Sequence, residues 1–299
     1  MKRALLLCSL VALSFAALCQ NSNNTLLWRI SGKNISRPSY LFGTIHLLCA
    51  DDIQLSDSLK SAIRRADKVY LELDIDNLFE MLGVISKMKM RNDTTLADLL
   101  TTEEYKRVKS FFTREKSIIP FSILETYKPI LAASMLMESS LDCDNEVAME
   151  HLIMKEAKRN GVGIKGLETM AYQISIFDSI PYQVQAKQLV KYIDNYTKDT
   201  DQDFQEMINA YKEQQLDKLE QLTLKDDPVL QKFADILLYN RNKNWVNKLN
   251  QLLPKNSYVF AVGAGHLPGQ RGVINLLRKA GYKVEPVKNE MIKKKTKEI

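Results

Sequence analysis

Two stretches near opposite ends of this chain share one local design, a short apolar run that leads into Gly-x-x-His. Ser39-Tyr40-Leu41-Phe42 precedes Gly43-Thr44-Ile45-His46, and Ser257-Tyr258-Val259-Phe260-Ala261-Val262 precedes Gly263-Ala264-Gly265-His266. Runs of this kind, apolar and closed by glycine, predict buried strands. Strands so far apart in the chain are best buried together, in one central sheet. The chain has only three histidines, and two of them stand in this context. In open α/β sheets, ligands and reactive groups collect at the C-terminal ends of the strands. Glycine just before the histidine allows a sharp turn and a close approach to a ligand. His46 and His266 therefore read as two halves of one site.

Other segments fill in the sheet. Leu26 to Ile30, with the turn Ser31-Gly32-Lys33-Asn34, predicts a strand that forms a hairpin with the strand running into His46. Ser56 to Ala66 has helical spacing behind a serine cap, and Lys68 to Asp74 reads as a further strand. This strand–helix–strand order predicts a parallel pair with the helix as crossover. From Asn77 to about Leu141 the pattern is helical. Within it, Thr95-Leu96-Ala97-Asp98 resembles a capping box built on aspartate, and Pro129 suits a helix first turn. A helix over Val147 to Lys158, a strand over Gly163 to Glu168, and helices over residues 181–250 follow. Tyr258 to Val262 and Tyr282 to Val287 are the last strands, joined by a helix over Gly272 to Ala280. The expected fold is α/β in the broad sense (α+β), a central mixed β-sheet of about five or six strands flanked by helices, with a large helical insertion.

The N-terminus reads as a targeting segment. Met1-Lys2-Arg3 is a positive start, Ala4 to Leu18 is apolar, and polar Gln20 to Asn24 follows. That run is too short for a membrane span and predicts a signal peptide over residues 1–19, so the chain is expected to be exported, periplasmic or secreted. Lipidation at Cys19 is the lesser alternative, because Leu18 is bulky for the position before it. No other apolar run is long enough to span a bilayer. The rest divides into an α/β domain over 20–288 and a basic tail over 289–299. The net charge of +6 resides mainly in the leader and the lysines of the tail, and the remainder is close to neutral. No basic, aromatic-interleaved stripe points to nucleic acid. Cys49 and Cys143 remain once the leader is removed; in an exported protein they can pair, and such a bridge would pin one wall of the site near His46.

The chemistry expected of two imidazoles is divalent-metal binding, completed by a carboxylate and an open position for water. Glu72 is the candidate carboxylate. Strand alternation would put Tyr70, Glu72 and Asp74 on one face, where a buried glutamate is costly unless it is paired or metal-bound. The alternative is an edge strand whose second face is wet. Glu168 ends another strand and reads either as ligand or general base, or as part of the cap of the next helix through Thr169. Arg241 could steady an oxyanion or a substrate carboxylate, or lie on a helix surface. His151, in a Lys/Glu-rich helix without a glycine partner, reads as structural. No serine elbow, Walker loop, dinucleotide fingerprint or His-Glu-x-x-His occurs.

In their order, these motifs resemble the TraB/GumN family. The resemblance rests on Tyr40 to His46, Glu72-Leu73-Asp74, Gly166-Leu167-Glu168-Thr169 with Gln173, Arg241-Asn242 with Trp245, Ala261 to Leu267, and Gly281 to Val284, and covers about residues 25–288. That family includes Tiki metalloproteases and pheromone-shutdown proteins and is related to erythromycin-esterase-like folds. The resemblance implies His46 and His266 as metal ligands with Glu72 as acidic partner, and manganese or cobalt as the metal, with zinc possible by chemistry. Glu150 stands where many relatives place aspartate. The expectation is a metal-dependent hydrolase acting on a peptide or small molecule. Glu168 would be the base and Arg241 the oxyanion stabiliser. The alternatives are a metal-free esterase-like hydrolase, or a protein that binds metal, haem or peptide without turnover.

Overall fold

The hairpin expected at the start of the chain forms. In the computed structural model, which describes residues 24–115, 119–138, 143, 145–195, 202–225 and 228–292, β1 (Leu27–Ser31) and β2 (Ser39–Thr44) run antiparallel with Trp28 opposite Leu41. Gly32, Lys33 and Asn34 all take positive φ in the turn, which glycine and asparagine tolerate best. The remaining strands are β3 (Leu48–Cys49), β4 (Lys68–Leu71), β5 (Glu146–Val147), β6 (Gly163–Gly166), β7 (Tyr258–Gly263) and β8 (Lys283–Pro286). The leader expected over residues 1–19, Cys19 with it, and the last lysines of the tail lie outside the described residues. Among the described residues no helix is long and apolar enough to cross a membrane.

Six strands make one sheet in the order β6-β4-β7-β2-β1-β8. β6, β4, β7 and β2 are parallel; β1 and β8 are antiparallel to their neighbours. β2 and β4 are thus parallel, as their strand–helix–strand order predicts, but they are not adjacent, because β7 lies between them. The reason is composition. Tyr258 to Val262 are all buried, and so apolar a strand belongs where both faces are covered. Pro286, which cannot donate a ladder hydrogen bond, ends the edge strand.

The crossover helix Asp57–Arg65 begins at Ser56, whose hydroxyl accepts from Leu59 N–H (3.1 Å), and ends with Arg64 and Arg65 facing the helix's negative end. It buries Leu59, Ala62 and Ile63 in the main core. The helical insertion packs a second core of its own, with Leu96, Phe111, Phe112, Leu124 and Leu189 buried. Its main helices are Thr102–Arg114, Pro129–Glu138 and Tyr182–Asp194. Pro129 opens its helix as expected, and Thr95 donates twice to Asp98 at the helix turn Leu96–Leu99 (2.8 Å each). A small cluster of Ile176, Ile180 and Leu237 joins this insertion to the stretch Asp235–Tyr239. That stretch is a π-helical turn, and it runs directly into the helix Asn240–Leu252.

Beyond the main sheet, β3 and β5 form a separate antiparallel pair, Leu48 opposite Val147. Cys49 and Cys143 are joined by a disulfide with Cα atoms 5.9 Å apart. The strand just after His46 is thereby tied to the segment just before the helix Met149–Arg159.

Candidate functional site

Four side chains singled out from sequence stand beyond the C-terminal ends of the four parallel strands. His46 follows β2, Glu72 follows β4, Glu168 follows β6, and His266 closes the short 3-10 turn Ala264–His266 after β7. Glu72 is not inside a strand. β4 ends at Leu71 with Val69, Tyr70 and Leu71 all buried, so the predicted polar face does not exist, and Glu72 escapes the sheet interior by one residue.

Arg241, from the first turn of the helix Asn240–Leu252, gathers these groups. Its Nη2 donates to Glu72 Oε2 (2.5 Å) and to Glu168 Oε2 (2.8 Å), and its Nε spans both Glu168 oxygens (3.1 and 3.0 Å). Nη1 donates to the Leu237 carbonyl in the π-turn (3.1 Å) and lies 3.3 Å from His266 Nε2. Glu72 also accepts from Gln173 Nε2 (3.2 Å) and, at Oε1, from Gly263 N–H (2.7 Å). Gly263 matters for that last contact, since a Cβ there would lie 3.2 Å from Glu72 Oε1. Gly43 has a different role: a Cβ would press on Leu267 and Ala264, so its value is close packing of β2 on the β7 turn.

The two carboxyls differ in response. Burial alone would raise Glu72, but His266 when charged, the Arg241 guanidinium and the Gly263 N–H outweigh it and hold it at about 2. For Glu168, burial dominates over Arg241 and its carboxyl lies above the usual range. His266 is pushed down to about 4, chiefly by burial, which outweighs the opposing pull of Glu72. It is neutral at pH 7, and its tautomer follows from Asn242. That amide's Nδ2 donates to the carbonyls of Arg271 (2.9 Å) and His266 (3.4 Å), which turns its Oδ1 toward His266 Nδ1 (2.6 Å). The proton therefore sits on Nδ1 and the Nε2 lone pair faces the site, 3.9 Å from Glu72 Oε1. The Trp245 ring packs 4.5 Å from the imidazole and also under the Arg241 guanidinium.

His46 is unlike its counterpart. Its side chain is 73% exposed, whereas that of His266 is 7% exposed. Its Nδ1 lies 3.0 Å from Oε1 of Glu150, yet neither oxygen of that buried carboxylate accepts a well-formed hydrogen bond among the described residues. Nearby, Tyr211 braces the end of β2 by donating to the Gly43 carbonyl (2.9 Å). His46, Glu72, Glu150, Gln173 and His151 line one cavity of about 410 Å³. His151, whose context suggested a structural role, is exposed at its wall.

Donor chemistry here suits a divalent transition metal: two imidazoles, one with its lone pair already directed, and two carboxylates, one with buried oxygens that accept no well-formed hydrogen bond among the described residues. Among the described residues, however, no three such side chains stand close enough to share an ion as placed. His46 stays with Glu150, and Arg241 lies on Glu72. Arg241, Glu72, Glu168 and both histidines stand out in the sequence, whereas Asn242, Gln173 and Glu150 carry no settled role there. The first two were visible only as neighbours inside motifs.

Known proteins bear on this arrangement. The chain is similar to metalloprotease TIKI2 of Danio rerio (24% identical, 89% of this chain, 61% of the relative). It is also similar to a metalloprotease TIKI homolog of Nematostella vectensis (24%, 91% of this chain, 69% of the relative). Protein YbaP of Shigella flexneri is 25% identical over 81% of this chain and 89% of its own length. The chain spans about three fifths of the first of these. No solved structure matches. The family model described as TraB/PrgY/gumN matches residues 26–286, and the chain belongs to that family.

Proposed function

We propose that this chain is an exported, metal-dependent hydrolase acting on peptides, in which His46, His266 and Glu72 hold a divalent transition metal, manganese or cobalt ahead of zinc. The observation that carries this reading is the directed Nε2 lone pair of His266 beside the ionised Glu72, at the ends of parallel strands, in a chain whose relatives are named metalloproteases. A bound divalent ion would polarise the scissile carbonyl and lower the pKa of a water toward neutrality.

The chain's own groups have distinct tasks. Glu72 stays anionic at neutral pH, and the Gly263 N–H and Gln173 amide orient it. Asn242 keeps the His266 proton on Nδ1. Glu168, its proton affinity raised by burial, takes up the proton released from water. Arg241 is a fixed positive charge that would favour a developing oxyanion through its field, since its N–H groups are already directed at Glu72, Glu168, the Leu237 carbonyl and His266. A mixed peptide library, assayed with added Mn, Co or Zn, tests the reading. Activity that survives both His46→Ala and His266→Ala would overturn it. Export is checked by sequencing the N-terminus of the protein recovered outside the cytoplasm, which should begin after the apolar run.

One observation favours a second reading. Arg241 already neutralises Glu72 and Glu168, and its Nη1 abuts the His266 lone pair, which also suits a metal-free hydrolase with a histidine base. Activity lost on mutating either histidine but indifferent to chelators would select that reading.

A further inference from the structure

The helix Leu78–Val84 is turned the wrong way for a core helix. Val84 is its one buried residue, while Leu78 is 62%, Phe79 89%, Met81 45% and Leu82 60% exposed, and Ile85 in the following turn is 49% exposed. Leu78, Met81, Leu82 and Ile85 follow the i, i+3, i+4, i+7 spacing, so they form one stripe on one face. Such a stripe normally packs against the protein; here it faces solvent. The neighbouring helix Met170–Phe177 adds exposed Tyr172 to the same region. An exposed apolar surface of this kind marks a binding site.

The stripe does not stand alone. Met81 also lines a groove of about 640 Å³ with Met154, Met170 and Ile75 on its walls. Ile75 and His151 line both this groove and the cavity that holds His46, Glu72 and Glu150, so the two are neighbours with a shared wall. Three methionines give a surface that can adapt to different apolar side chains. Asp76 and Lys158, paired at 2.7 Å, border the groove. A groove that adjoins the cavity of His46 and Glu72 and carries three methionines in its lining fits an extended chain better than a flat lipid surface.

We propose that this groove and the stripe beside it bind the substrate polypeptide on one side of the cleaved bond, and that the substrate class is peptides with a bulky apolar side chain (Leu, Met or Phe) near that bond. The proposal rests on the hydrolase reading for its role in cleavage, but the binding surface is tested without turnover. The experiment measures fluorescence anisotropy of labelled peptides on the full chain carrying His46→Ala, which prevents cleavage. One peptide carries Leu and Phe, and a control peptide has both replaced by Ser. The apolar peptide should bind at least about tenfold more tightly than the control, and Met81→Glu or Met170→Glu should remove that preference. Leu82→Glu should weaken binding of longer peptides in particular. Equal affinity for the two peptides, or a preference untouched by Met81→Glu, overturns the proposal. Phosphatidylcholine–phosphatidylglycerol vesicles provide the rival partner: flotation abolished by Leu82→Glu and Phe79→Glu, with peptide binding unchanged, assigns the face to lipid and overturns it. In the same series, wild-type protein that binds apolar peptides selectively but cleaves none refutes the hydrolase reading and leaves the binding surface standing.

Discussion

Asn242 Oδ1 lies 2.6 Å from His266 Nδ1, and this contact settles which imidazole nitrogen faces the other site groups. An orienting partner of this sort keeps a ligand's lone pair aimed without having to reorder the ring on binding.

On the proposed metal-dependent reading, replacing Asn242 with leucine should therefore lower metal affinity and peptide hydrolysis together, by about 10- to 100-fold, while leaving the fold intact. Asn242→Asp retains an acceptor at that place and should lose less. Calorimetric titration with manganese and a parallel activity assay check this. Unchanged affinity in the leucine variant would show that the amide does not orient the ring.

Arg241 holds two buried carboxylates at once, and removing it leaves them facing one another. Arg241→Met should destabilise the protein by about 3–5 kcal/mol in urea unfolding, because uncompensated buried charge is worse than no pair. Adding Glu168→Gln should recover part of that loss. Additive effects in the double variant would mean that the three groups are not one network.

The disulfide between Cys49 and Cys143 spans 94 residues of sequence. Cys143→Ser, or reduction, should cost about 2–5 kcal/mol. It should also loosen the β3–β5 pair that flanks His46 and Glu150. Hydrogen exchange is expected to rise first at Leu48 and Val147, before the central strands β4 and β7 respond.

Acid should weaken the chelator-treated protein in two overlapping ranges. His266 has a folded value of about 4 against 6.5, so the unfolded chain takes up its proton first, and stability falls as pH drops from about 6.5 toward 4. Glu72 is held at about 2 against 4.5, so its contribution is complete above 4.5 and fades toward 2. Urea midpoints measured across that range should decline throughout, and His266→Gln should flatten the upper part. A level profile between pH 6.5 and 4 would contradict the buried, neutral histidine described above.

Much of the fold was legible. The β1–β2 hairpin, the serine-capped crossover helix and the helical insertion all follow from periodicity, caps and turn residues, because those signals act over a few residues. The insertion of β7 between β2 and β4 was not, since which strand takes the centre depends on burial across the whole sheet. Glu72 shows a finer limit. Alternation puts it in a strand, but the strand stops one residue earlier. Two matching Gly-x-x-His patterns suggested matched histidines, yet one is enclosed by Asn242 and Trp245 and the other is exposed beside Glu150.

What the sequence determined by itself, then, is a set of strand ends: apolar runs that must be buried, each closing on a residue able to do chemistry. Which of those ends meet is a property of the sheet. Parallel pairing of β2, β4, β6 and β7 brings their C-terminal ends to one side, and a helix begun by the π-turn drops Arg241 and Asn242 among them. Burial, and charges brought close from far apart in sequence, then decide the protonation of His266 and Glu72, because both act through space and leave no local mark on the chain.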